Sequence, residues 1–186
     1  MKKEIRVIGI DDSPFKKFKY GNTLVIGTIF RGGSFLDGIL STKVKVDGSN
    51  ATSKLINMIN SCKFKPQIQC ILLDGIALGG FNIVDINKLS KKTKIPVIVV
   101  VRRRPDINTI KKTLIKINKK KKIKLIDKAG QVYKIGKIYC QLVNISLEKA
   151  KSILKITCTH SLIPEPIRVA HLIASGVAFG ESRGRA

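Results

Sequence analysis

Three of the eight aspartates in this 186-residue chain stand where an apolar run stops. Asp11 follows Val7-Ile8-Gly9-Ile10, Asp47 follows Lys43-Val44-Lys45-Val46, and Asp74 follows Cys70-Ile71-Leu72-Leu73. In open α/β sheets, ligands gather at the carboxyl ends of the strands. Several carboxylates gathered at one such edge repel one another unless a cation sits between them. Mg2+ suits that demand, because it takes oxygen ligands, keeps several waters and is held by few carboxylates together with substrate phosphates. The corresponding chemistry is metal-assisted hydrolysis of a phosphodiester. A plainer reading stays open for each residue alone: Asp-Gly and Asp-Asp-Ser-Pro are ordinary turn sequences, since Asp bonds to nearby backbone N–H groups. Of the adjacent pair, Asp11 is the expected ligand, and Asp12-Ser13-Pro14 is expected to break the strand and turn the chain.

His160 and His171 are the only histidines, and neither has a partner at a metal-ligand spacing such as HxxxH. His171 recurs with Glu165, Arg168 and Ser175 at helical intervals, opposite a stripe of Ile167, Ala170, Ala174 and Val177. That pattern gives one helix a polar face with acid, base and imidazole, and it equally describes a salt-bridged surface helix. Arg102, Arg103 and Arg104 follow the apolar run Pro96 to Val101, where guanidinium forks could meet phosphate; a simple charged strand exit fits as well. No dinucleotide or P-loop glycine fingerprint and no nucleophile elbow is present, which disfavours nucleotide-cofactor and serine-hydrolase chemistry.

The elements that must carry these residues are readable in outline. Residues 4 to 10 read as a central strand, and residues 23 to 30 and 35 to 46 as two strands joined through Arg31-Gly32-Gly33-Ser34. Leu55, Ile56, Met58 and Ile59 have helical spacing, with Asn50 or Thr52 as cap. Residues 68 to 73 and 96 to 101 are further strands, the latter continuous and β-branched as a strand covered on both faces should be. Helices are expected over 84–89, 107–117, 146–156 and 164–179, and a hairpin around Ala129-Gly130-Gln131. Lys119 to Lys122 reads as a solvated connector. Hairpin-joined strands followed by strand and helix in alternation predict an α/β fold with a mixed β-sheet flanked by α-helices, in a single domain over 1–186.

Thirty-six Lys and Arg against twelve Asp and Glu give a formal net charge of +24 and an isoelectric point near 10.2. Such a balance points to a polyanionic partner, nucleic acid first. Lysine enrichment from heat adaptation or composition bias is the bland alternative, and a protein partner is a third. Cys62, Cys70, Cys140 and Cys158 have neither zinc spacing nor the density of a disulfide scaffold, so reduced thiols are expected. The start MKKEIRVIGIDD reaches aspartate before any signal-length apolar stretch, and no window approaches a membrane span. A cytoplasmic protein with no membrane contact is expected.

Several motifs in order, GIDDSPF, RGGSFLDGILSTKVKVDGSNAT, LLDGIALGGFNIVD, PVIVVVRRRPD and IPEPIRVAHLIASGVAFGESRGRA, resemble an archaeal family catalogued as DUF99 or UPF0215, an endonuclease dU-like family distantly similar to endonuclease V. The resemblance covers nearly the whole chain. It implies a ribonuclease-H-like fold, Mg2+ or Mn2+ held by acidic residues, and cleavage of nucleic acid, DNA first, at deaminated bases such as deoxyuridine or inosine in DNA repair. Gly9-Ile10-Asp11 resembles the motif ending the first strand of endonuclease V, and Leu73-Asp74-Gly75 its central Val-Asp-Gly. Pro164-Glu165-Pro166-Ile167-Arg168-Val169-Ala170-His171 resembles its late helix. Where endonuclease V carries a glutamate in a Phe-Arg-Glu-type motif, this chain has Asp47-Gly48-Ser49-Asn50-Ala51-Thr52, and Asp47 is the expected substitute.

The expected metal ligands are therefore Asp11, Asp74 and Asp47, which with His171 form the expected catalytic set. Arg102, Arg103 and Arg168 are the expected phosphate contacts. The alternative is a nucleic-acid-binding protein that keeps the fold without catalysis, a reading motivated by the missing glutamate motif.

Overall fold

The computed structural model describes residues 4–15 and 21–184. The strands are β1 (Arg6–Asp12), β2 (Asn22–Arg31), β3 (Phe35–Lys45), β4 (Cys70–Asp74), β5 (Ala77–Leu78), β6 (Asn82–Ile83), β7 (Val97–Val101), β8 (Tyr133–Ile135) and β9 (Ile138–Val143). The α-helices are α1 (Ala51–Asn60), α2 (Ile86–Thr93), α3 (Ile107–Lys116), α4 (Ile123–Lys128), α5 (Leu147–Thr157) and α6 (Glu165–Phe179). Seven strands form one mixed sheet in the order β3-β2-β1-β4-β7-β9-β8, while β5 and β6 make a separate small hairpin. The antiparallel β1-β2-β3 meander follows from the short Gly32-Gly33 connection. The parallel pairings of β4 with β1 and β7 need crossovers, which α1 and α2 supply.

Period-two alternation divides the central strands between two cores. Ile8 and Ile10 of β1 join Ile71 and Leu73 of β4 beneath Leu55 and Ile59 of α1 and Leu89 of α2. Val7, Cys70 and Leu72 face the opposite way, onto Ile153 and Leu154 of α5 and Ile167 of α6. Both faces are covered, which is why these strands read as continuous apolar runs. All four cysteines are free thiols, and no helix among the described residues is long and apolar enough to cross a membrane.

One close approach fixes the position of α6. A Cβ on Gly9 would lie 2.3 Å from the Pro166 carbonyl carbon, so only glycine lets the start of this helix rest on β1. Thr28 on neighbouring β2 donates its hydroxyl to Pro166 O at 2.6 Å, a buried bond that ties down the same turn.

Several local expectations are corrected. β1 does not stop before the acids: it runs through Asp11 and Asp12, which pair with Ile26 and Val25 of β2. The turn chemistry of Asp12-Ser13-Pro14 is outweighed by this ladder. Residues 123–128 are helical, and the hairpin that follows turns at Gly136 rather than Gly130, with Ile135 opposite Ile138. Asn50 occupies the N-cap position of α1 without a side-chain capping bond; the buried Asn82 supplies it, accepting from Ala51 N–H at 3.0 Å. Lys122 is not solvated. It is 8% exposed, and its ammonium donates to the carbonyls of Asp47, Gly48 and Phe81, with Lys119 also on Asp47 O.

Candidate metal and phosphodiester site

Ile10 of β1 lies opposite Leu73 of β4 in a parallel register, so Asp11 and Asp74 are the next residues on two adjacent strands. Parallel neighbours at the same level point to the same face, which sets the two side chains together at the carboxyl edge of the sheet. From Gly9, where α6 touches down, to Asp11 the strand advances about 7 Å. From Ile167 to His171 the helix advances about 6 Å. The two rises match, and His171 Nδ1 lies 2.8 Å from Asp11 Oδ2. The other Asp11 oxygen accepts the Asp12 N–H at 2.8 Å.

Asp11 is 5% exposed. Asp74 accepts no hydrogen bond among the described residues, and burial pushes its carboxyl up to about 7, with the Asp11 charge adding to the rise and His171 and Arg102 opposing it. The His171 imidazole is held above its ordinary value, first by its bond to Asp11. Its Nε2 is buried with no partner. An acid pair, one member without a donor, beside a single imidazole is a site that a cation would relieve.

Asp12 is the residue that the sequence reading left out. It points to the opposite face from Asp11, where Oδ2 accepts the Gly79 N–H at 3.0 Å. Burial and then the neighbouring Asp11 push its carboxyl up to about 7, and Asp74 contributes in the same sense. Its side-by-side placement with Asp11 was the available signal; the turn chemistry of the following Ser-Pro obscured it.

Asp47 is engaged elsewhere. Its backbone is left-handed, with φ of 54°, a conformation Asp tolerates better than most residues. Its Oδ1 accepts the Phe81 N–H at 2.7 Å, and its own N–H donates to Gly79 O at 2.7 Å. The Gly79-Gly80 turn between β5 and β6, both residues with positive φ, is thereby gripped from two sides by Asp12 and Asp47. Asp47 braces the loop beside the acids, and its carboxylate does not join Asp11 and Asp74.

Arg102 and Arg103 are exposed directly after β7, which neighbours β4, and the Arg102 charge is felt at Asp74. Arg168 is committed: its Nε and a terminal nitrogen meet the two oxygens of Glu165 at 2.8 and 2.5 Å. Glu165 is 5% exposed and is held below its usual range chiefly by this fork. The expected polar face of the last helix is therefore split, with Glu165 and Arg168 in one local pair and His171 reaching the acids. His160 is exposed and approaches Glu165 at 3.6 Å.

The donor set fits a hard divalent cation. Asp11 and Asp74 offer carboxylate oxygens on rigid strand ends, without the soft or imidazole-rich ligands of zinc and copper sites. Among the described residues no three of His, Cys, Asp or Glu converge into a closed cage. An open pair of carboxylates suits Mg2+ or Mn2+, which complete their shells with water and substrate oxygens.

A family model described as Endonuclease dU matches residues 3–178. A UPF0215 protein from Methanothermobacter thermautotrophicus is 46% identical over 191 residues, covering 100% of this chain and 94% of the relative. A crystal structure of an Archaeoglobus fulgidus protein of unknown function is 39% identical with a TM-score of 0.86, covering 92% of this chain and 97% of that one. Ciona intestinalis endonuclease V, solved with a 24mer DNA containing an inosine followed by a ribo-adenosine, is 22% identical with a TM-score of 0.57, covering 90% of this chain and 83% of that one. The last likeness is one of fold, and the seven-stranded sheet is accordingly of the ribonuclease-H-like type.

Proposed function

We propose that this chain, which belongs to the endonuclease dU family, is a divalent-metal-dependent endonuclease that cuts nucleic acid, DNA first, at deaminated bases such as deoxyuridine or inosine. The observation that carries the reading is the Asp11 and Asp74 pair at adjacent strand ends, with His171 bonded to Asp11. The net charge of +24 supplies attraction for a polyanion.

Asp11 and Asp74 would hold Mg2+ or Mn2+, whose contribution is to neutralise the acids and stabilise charge on the phosphodiester. His171 fixes one Asp11 oxygen through Nδ1, while its Nε2 lies buried beside Gly184. Arg102 and Arg103 stand where they can meet flanking phosphates, and Arg168 would do so only by giving up its fork on Glu165. As a repair nuclease the protein would work in the cytoplasm, in a single folded domain.

The test is incubation with oligonucleotides carrying deoxyuridine, deoxyinosine or no lesion, with Mg2+, Mn2+ or EDTA. Metal-dependent cleavage that disappears in both Asp11→Ala and Asp74→Ala is expected. Cleavage surviving both substitutions would overturn the site.

A second reading, nucleic-acid binding without catalysis, is favoured by the engagement of Asp47 with Phe81 N–H rather than with the acid pair. It predicts salt-sensitive binding unchanged by substitution of Asp11 or Asp74, and no cleavage with any metal.

A further inference from the structure

The segment after α6 has no role in the site so far described, yet it folds back along that helix. Gly180 ends α6 in a left-handed conformation, with its N–H on Gly176 O. The reversed chain is then fastened twice. Ser182 donates its hydroxyl to Leu172 O at 2.8 Å. Ser175, fully buried, accepts the Arg183 N–H at 2.9 Å and donates to Arg183 O at 3.1 Å. One hydroxyl thus holds both backbone polar groups of a residue eight positions away. Gly184 follows, placed so that a Cβ there would be 3.7 Å from His171 Nε2.

The same Nε2 is the one buried side-chain polar atom without a hydrogen bond among the described residues. A buried donor left unpaired is costly, and the residues covering this one, Glu181 to Gly184, are themselves exposed. The closed arrangement is therefore satisfied at its fastenings and unsatisfied at the imidazole.

We propose that residues 181–184 form a strap over His171, that Ser175 is the positioning residue that latches it, and that the strap lifts when a hydrogen-bond acceptor such as a phosphate oxygen comes to Nε2. Closed, the strap keeps water from the imidazole, which has Asp11 on Nδ1 and the Arg183 backbone close by without a well-formed bond to Nε2. Open, it frees Nε2 and carries Arg183 with it, a basic side chain at the rim. The part of this that concerns substrate rests on the nuclease reading; the latch itself does not.

The chain contains its own control, because His160 is 71% exposed while the His171 side chain is 17% exposed. Both histidines are titrated with diethyl pyrocarbonate in EDTA at one alkaline pH, and each adduct is followed by peptide mass spectrometry. In the unaltered protein His160 should react much faster than His171. Ser175→Ala should speed the reaction at His171 by roughly fivefold, the scale of hydrogen bonds lost from a local opening equilibrium, with His160 unchanged. Ser182→Ala, at an exposed position, should act in the same direction through the second fastening. Equal reactivity of the two histidines in the unaltered protein, or no change at His171 in both variants, would overturn the strap. Nuclease activity with an unchanged His171 rate removes the latch alone, whereas a released His171 in a protein without nuclease activity removes the catalytic reading and keeps the latch.

Discussion

His171 Nδ1 and Asp11 Oδ2 are 2.8 Å apart although 160 residues separate them in the chain. The bond joins the last helix described to the first strand, at the point where that strand lies beside Asp74. Loss of the imidazole should therefore be felt at the proposed metal site. His171→Ala is expected to weaken Mn2+ binding roughly 10- to 100-fold, as loss of a group orienting a metal ligand does. Asp11→Asn and Asp74→Asn should weaken it at least as much, and Asp12→Asn less. Titration of Mn2+ by electron paramagnetic resonance measures all four, and an equal loss in Asp12→Asn would add that residue to the ligand set.

The acids also set a pH dependence. Folded Asp12 and Asp74 keep their protons up to about pH 7, while the unfolded groups release theirs near 3.8. The folded state therefore binds more protons between these values, so their stabilisation is complete below about pH 4 and is lost as the pH rises through 7. His171, also raised, works in the same sense, its share being lost as the pH passes its elevated value. In EDTA, urea unfolding should show a decline of roughly 2 to 4 kcal/mol from pH 5 to pH 8, after allowance for partial exposure. Asp74→Asn should flatten the decline, and saturating Mg2+ should offset it. A metal-free stability that rises across this interval would contradict the arrangement.

Gly9 is expected to be intolerant of any side chain. Gly9→Ala places a methyl group against the Pro166 backbone and should cost roughly 3 kcal/mol by overpacking. Because the same contact seats α6, metal affinity should fall together with stability. Chemical denaturation and Mn2+ titration of this one variant test both effects.

Lys122→Met keeps the aliphatic stem and removes the ammonium from the carbonyls of Asp47, Gly48 and Phe81. The loss should be roughly 2 kcal/mol, since the part-buried carbonyls of Gly48 and Phe81 lose a charged donor while Asp47 O keeps Lys119. Amide exchange at Gly79 and Phe81 should accelerate, because Asp47 grips the loop that Lys122 supports. Unchanged exchange at those two amides would confine Lys122 to a local role.

Arg102 tests the electrostatic side. Nucleic-acid affinity should fall linearly with the logarithm of salt concentration, and Arg102→Ala should reduce the slope by about one. Arg168→Ala should leave the slope nearly unchanged, because its guanidinium is already paired with Glu165.

Asp11 and Asp74 were legible because uninterrupted apolar runs lead directly into them, and such runs mark strands covered on both faces. The same logic stopped β1 two residues early. Ser13-Pro14 carries strong local turn chemistry, whereas the ladder extending β1 to Asp12 depends on Val25, a residue in another strand. Lys122 was hidden in a run of lysines for a related reason. Composition describes four similar solvated side chains, and only the distant carbonyls at 47, 48 and 81 single out Lys122, with Lys119 sharing the first. The misplaced hairpin had a comparable cause: Gly130 and Gly136 are both left-handed, and the short helix before Gly130 draws its stability from packing Ile126 against Leu114 rather than from local propensity. What the sequence could not convey was consistently a partner far along the chain.

The long span between Asp11 and His171 has a consequence for a cell that makes this protein. At ordinary synthesis rates, about 10 to 30 s pass between the emergence of the acid and that of its imidazole. Throughout that interval Asp11 lacks the helix that carries its imidazole partner. Separation along the chain thus postpones the seating of Asp11 against its imidazole until α6 has been synthesised.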